Sequence, residues 1–243
     1  MIRIGRRIYE GGNFTDPEYL GFTKIIVMTK SYKKWWPLSP YCLTDETGRI
    51  MENIWQFSKI YSYVPRTIQR WPRSSRIIWN YPEENHVVNG KITNGYFRWR
   101  ESGMNSDEAI RYPVGYHHRH ECLGTIKEKE DRSIDMTKLY NYVDSRKEIY
   151  VKEYVRLAKQ TNELYELRQK LISGTNLLII EVDGPHQESI KYYKNKYEVS
   201  DNFIEKNTML VTKNNLEIML NDDKHPFGHG YCLAMAIYNI DSL

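Results

Sequence analysis

Glu52, Trp55, Gln56 and Lys59 stand at i, i+3, i+4 and i+7. On a helix this spacing gathers a carboxylate, an indole, an amide and an ammonium on one face. Ile50, Ile54, Phe57 and Tyr61 fall on the opposite, apolar face. A merely solvated face seldom carries a tryptophan beside an acid and an amide. A face lining a cleft does: the ring stacks a flat ligand, the amide orients it, and the charges bind or transfer protons.

The second reactive stretch lies near the C-terminus. Asn221-Asp222-Asp223-Lys224-His225-Pro226-Phe227-Gly228-His229-Gly230 runs into the apolar Tyr231-Cys232-Leu233-Ala234-Met235-Ala236-Ile237. Gly228 and Gly230 are read as letting the backbone come close to a ligand. Glu52, with Asp222 or Asp223, is a carboxylate pair of the kind that flanks a glycosidic bond: one stabilises an oxocarbenium ion, the other handles a proton. Glu181 and Asp183, at the end of the strongest strand, are further candidates.

Other chemistries are disfavoured. His117, His118, His120 and Cys122 are metal-ligand types, but their spacing fits no common structural zinc pattern, so no metal is expected. The chain has no Gly-x-Ser-x-Gly nucleophile turn, no Gly-x-x-x-x-Gly-Lys-Ser/Thr phosphate loop and no Gly-x-Gly-x-x-Gly, which argues against kinase and dehydrogenase chemistry. No apolar run approaches the roughly 18 residues of a membrane helix. The three cysteines, Cys42, Cys122 and Cys232, are unpaired in pattern, and no signal segment opens the chain. A reducing, cytoplasmic setting is therefore expected.

Charge is uneven over the 243 residues. Residues 1–80 hold 13 Lys/Arg against 6 Asp/Glu; the remainder holds 22 against 25. The basic part also contains Trp35, Trp36, Trp55, Trp71 and Trp79, and Arg66, Arg70, Arg73 and Arg76. Cations among large rings suit phosphates and bases.

The elements that must position these groups read as follows. Thr23–Met28 is a strand, and Ser31–Pro40 an aromatic, basic loop. Arg49–Ser62 is the Glu52 helix. Residues 145–172 form one long helix, or two broken near Thr161-Asn162, with Leu164, Leu167 and Leu171 buried and Gly174 as the left-handed cap. Leu177–Val182 is an almost wholly apolar strand, buried on both faces. Gln187–Asn207 is a polar, tyrosine-rich excursion, and Met209–Val211 a short strand. Alternating helices and strands predict a mixed α+β fold with helices around a small core sheet, taken as one domain over 1–243.

In this order the pieces resemble the NADAR family of N-glycosidases, which is related to the riboflavin-pathway N-glycosidase. The family's aromatic Leu-Ser-Asn-Phe-like loop corresponds to Trp36-Pro37-Leu38-Ser39-Pro40. Its Glu-His-x-x-Gln-x-x-Lys helix corresponds to Glu52-Asn53-Ile54-Trp55-Gln56-Phe57-Ser58-Lys59. Its Leu-Leu-x-Thr-Gly segment and Leu-Val-Glu strand correspond to Leu171–Thr175 and Leu178–Val182. Its closing Asp, Trp-Gly-x-Gly and apolar helix correspond to Asp223, Phe227-Gly228-His229-Gly230 and Leu233-Ala234-Met235. Pro40 stands for the loop Asn, Asn53 for the His after Glu, and Phe227 for the Trp; Tyr81–Leu123 has no counterpart. The NADAR-like core spans about 24–238.

The resemblance implies a metal-independent N-glycoside hydrolase, with no cofactor, that cleaves a base–ribose or amine–ribose bond in a small nucleotide-like substrate, such as an ADP-ribosylated base or a riboflavin precursor. On this reading Glu52 and Asp223 form the catalytic pair. Trp36, Trp55 and Phe227 contact the flat part of the ligand, with Gln56, Asp183, Gly228 and His229 beside it. Lys59, Arg70, His118 and His225 meet its anionic or base-like groups. The alternatives are an enzyme that modifies or transglycosylates bases in DNA or RNA, and a non-catalytic nucleotide or nucleic-acid binding module.

Overall fold

The computed structural model describes residues 1–28, 34–70, 78–129, 131 and 133–240, with the side chains of 67–70, 78 and 116 outside the description. Arg73 and Arg76 lie outside the described residues, as does the side chain of Arg70. In chain order the principal elements are β1 (Ile2–Arg6), β2 (Phe22–Ile26), α1 (Met51–Phe57), β3 (Lys59–Tyr61), α2 (Asn94–Met104), β4 (Cys122–Thr125), α3 (Lys152–Ala158), α4 (Asn162–Ile172), β5 (Asn176–Glu181), α5 (Ile190–Tyr197), β6 (Thr208–Leu210), α6 (Lys213–Asn221) and α7 (His229–Tyr238). The fold is α+β. Its contacts separate into two compact units, one made of Met1–Leu43 and Val151–Leu243, the other of Thr44–Tyr150. Among the described residues no helix is long and apolar enough to cross a membrane.

The first unit is built on a four-stranded sheet of order β6-β1-β5-β2. β5 runs parallel to both β1 and β2, with Ile179 opposite Ile4 and Ile25. β6 closes one edge antiparallel to β1. Leu177, Leu178, Ile179 and Ile180 are fully buried, as expected for a parallel strand covered on both faces. Helices α4 and α7 pack against β5, and α3 packs against α7. α7 is apolar all round and buried from His229 to Ile237, so it behaves as a core helix rather than an amphipathic one. The helix break is at Thr161, whose hydroxyl caps α4 by accepting from Leu164 N at 3.2 Å. Gly174, at φ +89°, terminates α4.

β1 is one of several elements that sequence pattern misses, α2, α5 and α6 being others. Its arginines interrupt the apolar run, yet Arg3 is itself buried: its Nε donates to Thr208 at 2.8 Å and its guanidinium lies 3.9 Å from the Tyr19 ring centroid.

The second unit has an aromatic core of Phe57, Tyr61, Trp79, Tyr96 and Trp99. α1 is shorter than its sequence predicts. It stops at Phe57, Ser58 turns its hydroxyl back onto Ile54 O at 2.7 Å, and Lys59–Tyr61 becomes a strand paired antiparallel with β4. The β-prone run Ile60-Tyr61-Ser62-Tyr63-Val64 gains more from a strand partner than from helical turns. α2 crosses α1 closely because residue 103 is glycine: a Cβ there would overlap the Phe57 ring.

Candidate functional site

In the second unit Glu52, Trp55, Gln56 and Lys59 do assemble. Gln56 Nε2 donates to Glu52 Oε1 at 2.8 Å, and Lys59 Nζ donates to Gln56 Oε1 at 2.8 Å. The Lys59 ammonium also sits 4.9 Å from the Trp55 ring centroid, and Trp55 packs on Tyr150 with centroids 5.0 Å apart. Lys59 reaches this cluster from the first residue of β3, not from a further helical turn. Burial pulls its pKa below the usual lysine value, with the neighbouring charges of Cys122 and Glu52 opposing the shift in part.

Glu52 is 6% exposed. Its one hydrogen bond among the described residues comes from an amide, and no cation there comes within ion-pairing distance. Two other acids of this unit, the buried Asp45 and the half-buried Glu128, are treated differently. Asp45 holds the Arg49 guanidinium at 2.9 Å and two backbone N–H groups, and Glu128 grips both Arg49 and Arg100. Asn53, next to Glu52, acts structurally. Its amide donates to Ser106 O and Glu108 O and its carbonyl accepts from Ile110 N, which pins segment 106–110 on α1.

In the first unit two polar clusters form beyond the carboxyl end of β5. In the first, the buried Glu181 accepts from four donors. Oε1 takes Val182 N at 2.7 Å and Asp183 N at 3.2 Å; Oε2 takes Gly230 N at 2.7 Å and His229 Nδ1 at 2.8 Å. His229 Nε2 faces Val27 O at 3.3 Å. With acceptors at both ring nitrogens, the imidazolium is favoured. Burial alone would lower His229, but the Glu181 charge overrides it and the pKa is raised; burial alone would raise Glu181, but the His229 charge and the N–H donors hold it down. The carboxylate also receives the N-terminus of α7.

The second cluster centres on Asp222, which is wholly buried. Its Oδ1 accepts from Tyr192 Oη at 2.6 Å, and its Oδ2 from Tyr193 Oη at 2.8 Å and His225 Nδ1 at 2.6 Å. The other ring nitrogen, His225 Nε2, stands 2.9 Å from Ser189 Oγ. Burial raises Asp222, but these hydrogen bonds more than offset it and keep it below the usual carboxylate value.

Several expected roles change. Asp223 points outward, its side chain 70% exposed and paired with Lys196 at 2.7 Å. Asp222 is the aspartate turned inward, because the turn after α6 alternates the two side chains between core and solvent. Phe227 is buried and stacked on Tyr231 with centroids 4.7 Å apart, so it is a packing residue and not an open stacking face. Gly228 has ordinary φ of −79°. Its smallness makes room for Glu181, whose carboxyl carbon would lie 2.6 Å from a Cβ, rather than for a ligand. His229 is locked in its ion pair. Asp183 is half-buried, with its backbone N–H on Glu181.

Trp36 is 42% exposed in a short turn, Trp36–Leu38. His118 is exposed and paired with Glu121 at 2.9 Å. Arg66 borders a shallow open depression with Asn80, Pro82 and Glu83. Among the described residues no three His, Cys, Asp or Glu side chains gather as metal ligands. Sequence reasoning missed Ser189, Tyr192 and Tyr193; the only signal was a polar, tyrosine-rich stretch. Comparison with protein-family models, curated proteins and solved structures finds no match to this chain.

Proposed function

We propose that this protein is an N-glycoside hydrolase acting on a nucleotide-like substrate, with Glu52 as the carboxylate that meets the glycosidic bond. The observation that carries the reading is the state of Glu52: a buried acid held, among the described residues, by an amide, where the buried Asp45 of the same unit is held by an arginine. Burying an ionisable group with so little compensation is costly for a purely structural residue. An oxocarbenium ion developing at the sugar carbon brings a positive charge against Glu52, which among the described residues has no cation within ion-pairing distance. Lys59, with its lowered pKa and its contact to Gln56, is suited to give a proton to the departing base or to bind an anionic group. The order of motifs around Glu52-x-x-x-Gln56-x-x-Lys59 supports the same chemistry through its resemblance to the NADAR family.

The test is turnover of a panel of nucleosides, nucleotides and ADP-ribosylated guanine, read as free base by chromatography. Base release by the wild type is expected to fall by about 100-fold or more in Glu52→Gln. Equal release by the variant would remove Glu52 from the reaction, and no release from any member of the panel would remove the reading.

A further inference from the structure

Ser189 occupies the N-cap position of α5, where a serine hydroxyl ordinarily accepts from the backbone of the first turn. Here it makes no capping bond. It is turned instead onto His225 Nε2 at 2.9 Å. His225 Nδ1 is 2.6 Å from Asp222 Oδ2. The aspartate is fixed by the Tyr192 and Tyr193 hydroxyls and by Lys224 N at 3.2 Å. The imidazole is held face-on by Tyr193, with centroids 5.2 Å apart, and edge-on by Tyr192. Hydroxyl, imidazole and carboxylate thus stand in series.

The order of the three groups has a chemical consequence. Asp222 accepts the Nδ1 proton of His225, so the Nε2 lone pair faces Ser189. Nε2 is then the acceptor for the serine proton, and Asp222 stabilises the imidazolium that results. Ser189 is half-buried and His225 is 7% exposed, so the end of the relay that would meet a substrate is its outermost member.

We propose that Ser189, His225 and Asp222 form a nucleophilic relay that accepts acyl groups from small carboxylic esters, an activity separate from the Glu52 chemistry. Ser189 Oγ bonds to the ester carbonyl carbon as its proton passes to His225 Nε2. The C–O bond to the alcohol then breaks, and His225 returns the proton to the leaving alkoxide. Water cleaves the acyl-serine by the same path, releasing the carboxylic acid and restoring the hydroxyl.

The test uses the full chain and a fluorophosphonate probe. The serine oxygen displaces fluoride at phosphorus, and the adduct is located by mass spectrometry. A single adduct on Ser189 is expected, absent in Ser189→Ala and slowed about 100-fold or more in His225→Gln, with matching rates for p-nitrophenyl acetate. Ser189→Ala removes one oxygen, and its melting curve separates loss of labelling from loss of fold. No adduct on the wild type, an adduct on another residue, or equal labelling of His225→Gln would overturn the proposal. None of these outcomes depends on whether Glu52 cleaves a glycoside.

Discussion

Glu52 and Glu181 are both buried glutamates, at 6% and 2% exposure, in different units of the molecule, and they are held in opposite ways. Glu181 has a cation and three backbone N–H donors, two of its contacts coming from the start of a buried helix. Glu52 has one side-chain amide. A carboxylate whose charge is fully answered adds to stability and has little left to offer a substrate. One whose charge is barely answered weakens the fold locally and is available for chemistry, the familiar conflict between stability and activity at functional sites. The contrast assigns Glu181 to architecture: it ties the end of β5 to α7 and to the segment after β2.

The largest expected effect comes from breaking the well-answered member. Glu181→Ala leaves His229 buried without its ion-pair partner and the Gly230 N–H at the start of α7 without its acceptor. A loss of about 3–5 kcal/mol is expected, equivalent to a drop in melting temperature on the order of 10 °C. Glu52→Gln should behave in the reverse sense. It keeps the shape, removes an under-compensated charge, and should melt within about 1 kcal/mol of the wild type or above it. If denaturant titration finds the two variants equally destabilised, the contrast fails.

A smaller, pH-dependent effect sharpens the comparison. Glu181 lies below its ordinary value of 4.5, so its contribution is present above that pH and lost as pH falls through its folded value. His229 lies above its ordinary 6.5, so its contribution is complete below that pH and lost as pH rises through its folded value. The pair therefore stabilises most between the two ordinary values, with Asp183 adding to the raising of His229. The stability difference between wild type and His229→Gln, followed from about pH 3 to about pH 9, should peak in that window. A difference that is flat in pH would show that the ion pair does not form.

The smallest effect belongs to Asp223. Its exposed pairing with Lys196 is of the kind that contributes little, so Asp223→Asn should leave melting and turnover unchanged. A clear loss of turnover would restore Asp223 as the second carboxylate.

Local pattern by itself determined a good deal here. The apolar run Leu177–Val182 reads as a strand buried on both faces, and it is one up to Glu181, with Val182 exposed beyond its end. Thr161 and Gly174 marked helix ends through capping and left-handed backbone, and both effects act within a few residues. The i, i+4 relation of Glu52 and Gln56 is likewise local, and it survives although the helix ends before Lys59. What only the tertiary structure decided are the properties set by distant partners. β1 is a strand because β5 and β6, about 170 to 210 residues later, supply its hydrogen bonds. Asp222 and not Asp223 is buried because tyrosines some 30 residues away receive it. Ser189 meets His225 across 36 residues, with no spacing rule to announce it. Phe227 looked like an open stacking ring and is buried, a fate its residue type did not announce even though the ring it stacks on, Tyr231, is close in the chain. Residue type and periodicity report what a side chain can do. Burial and partner report what it is left to do, and those arise only when separated segments come into contact.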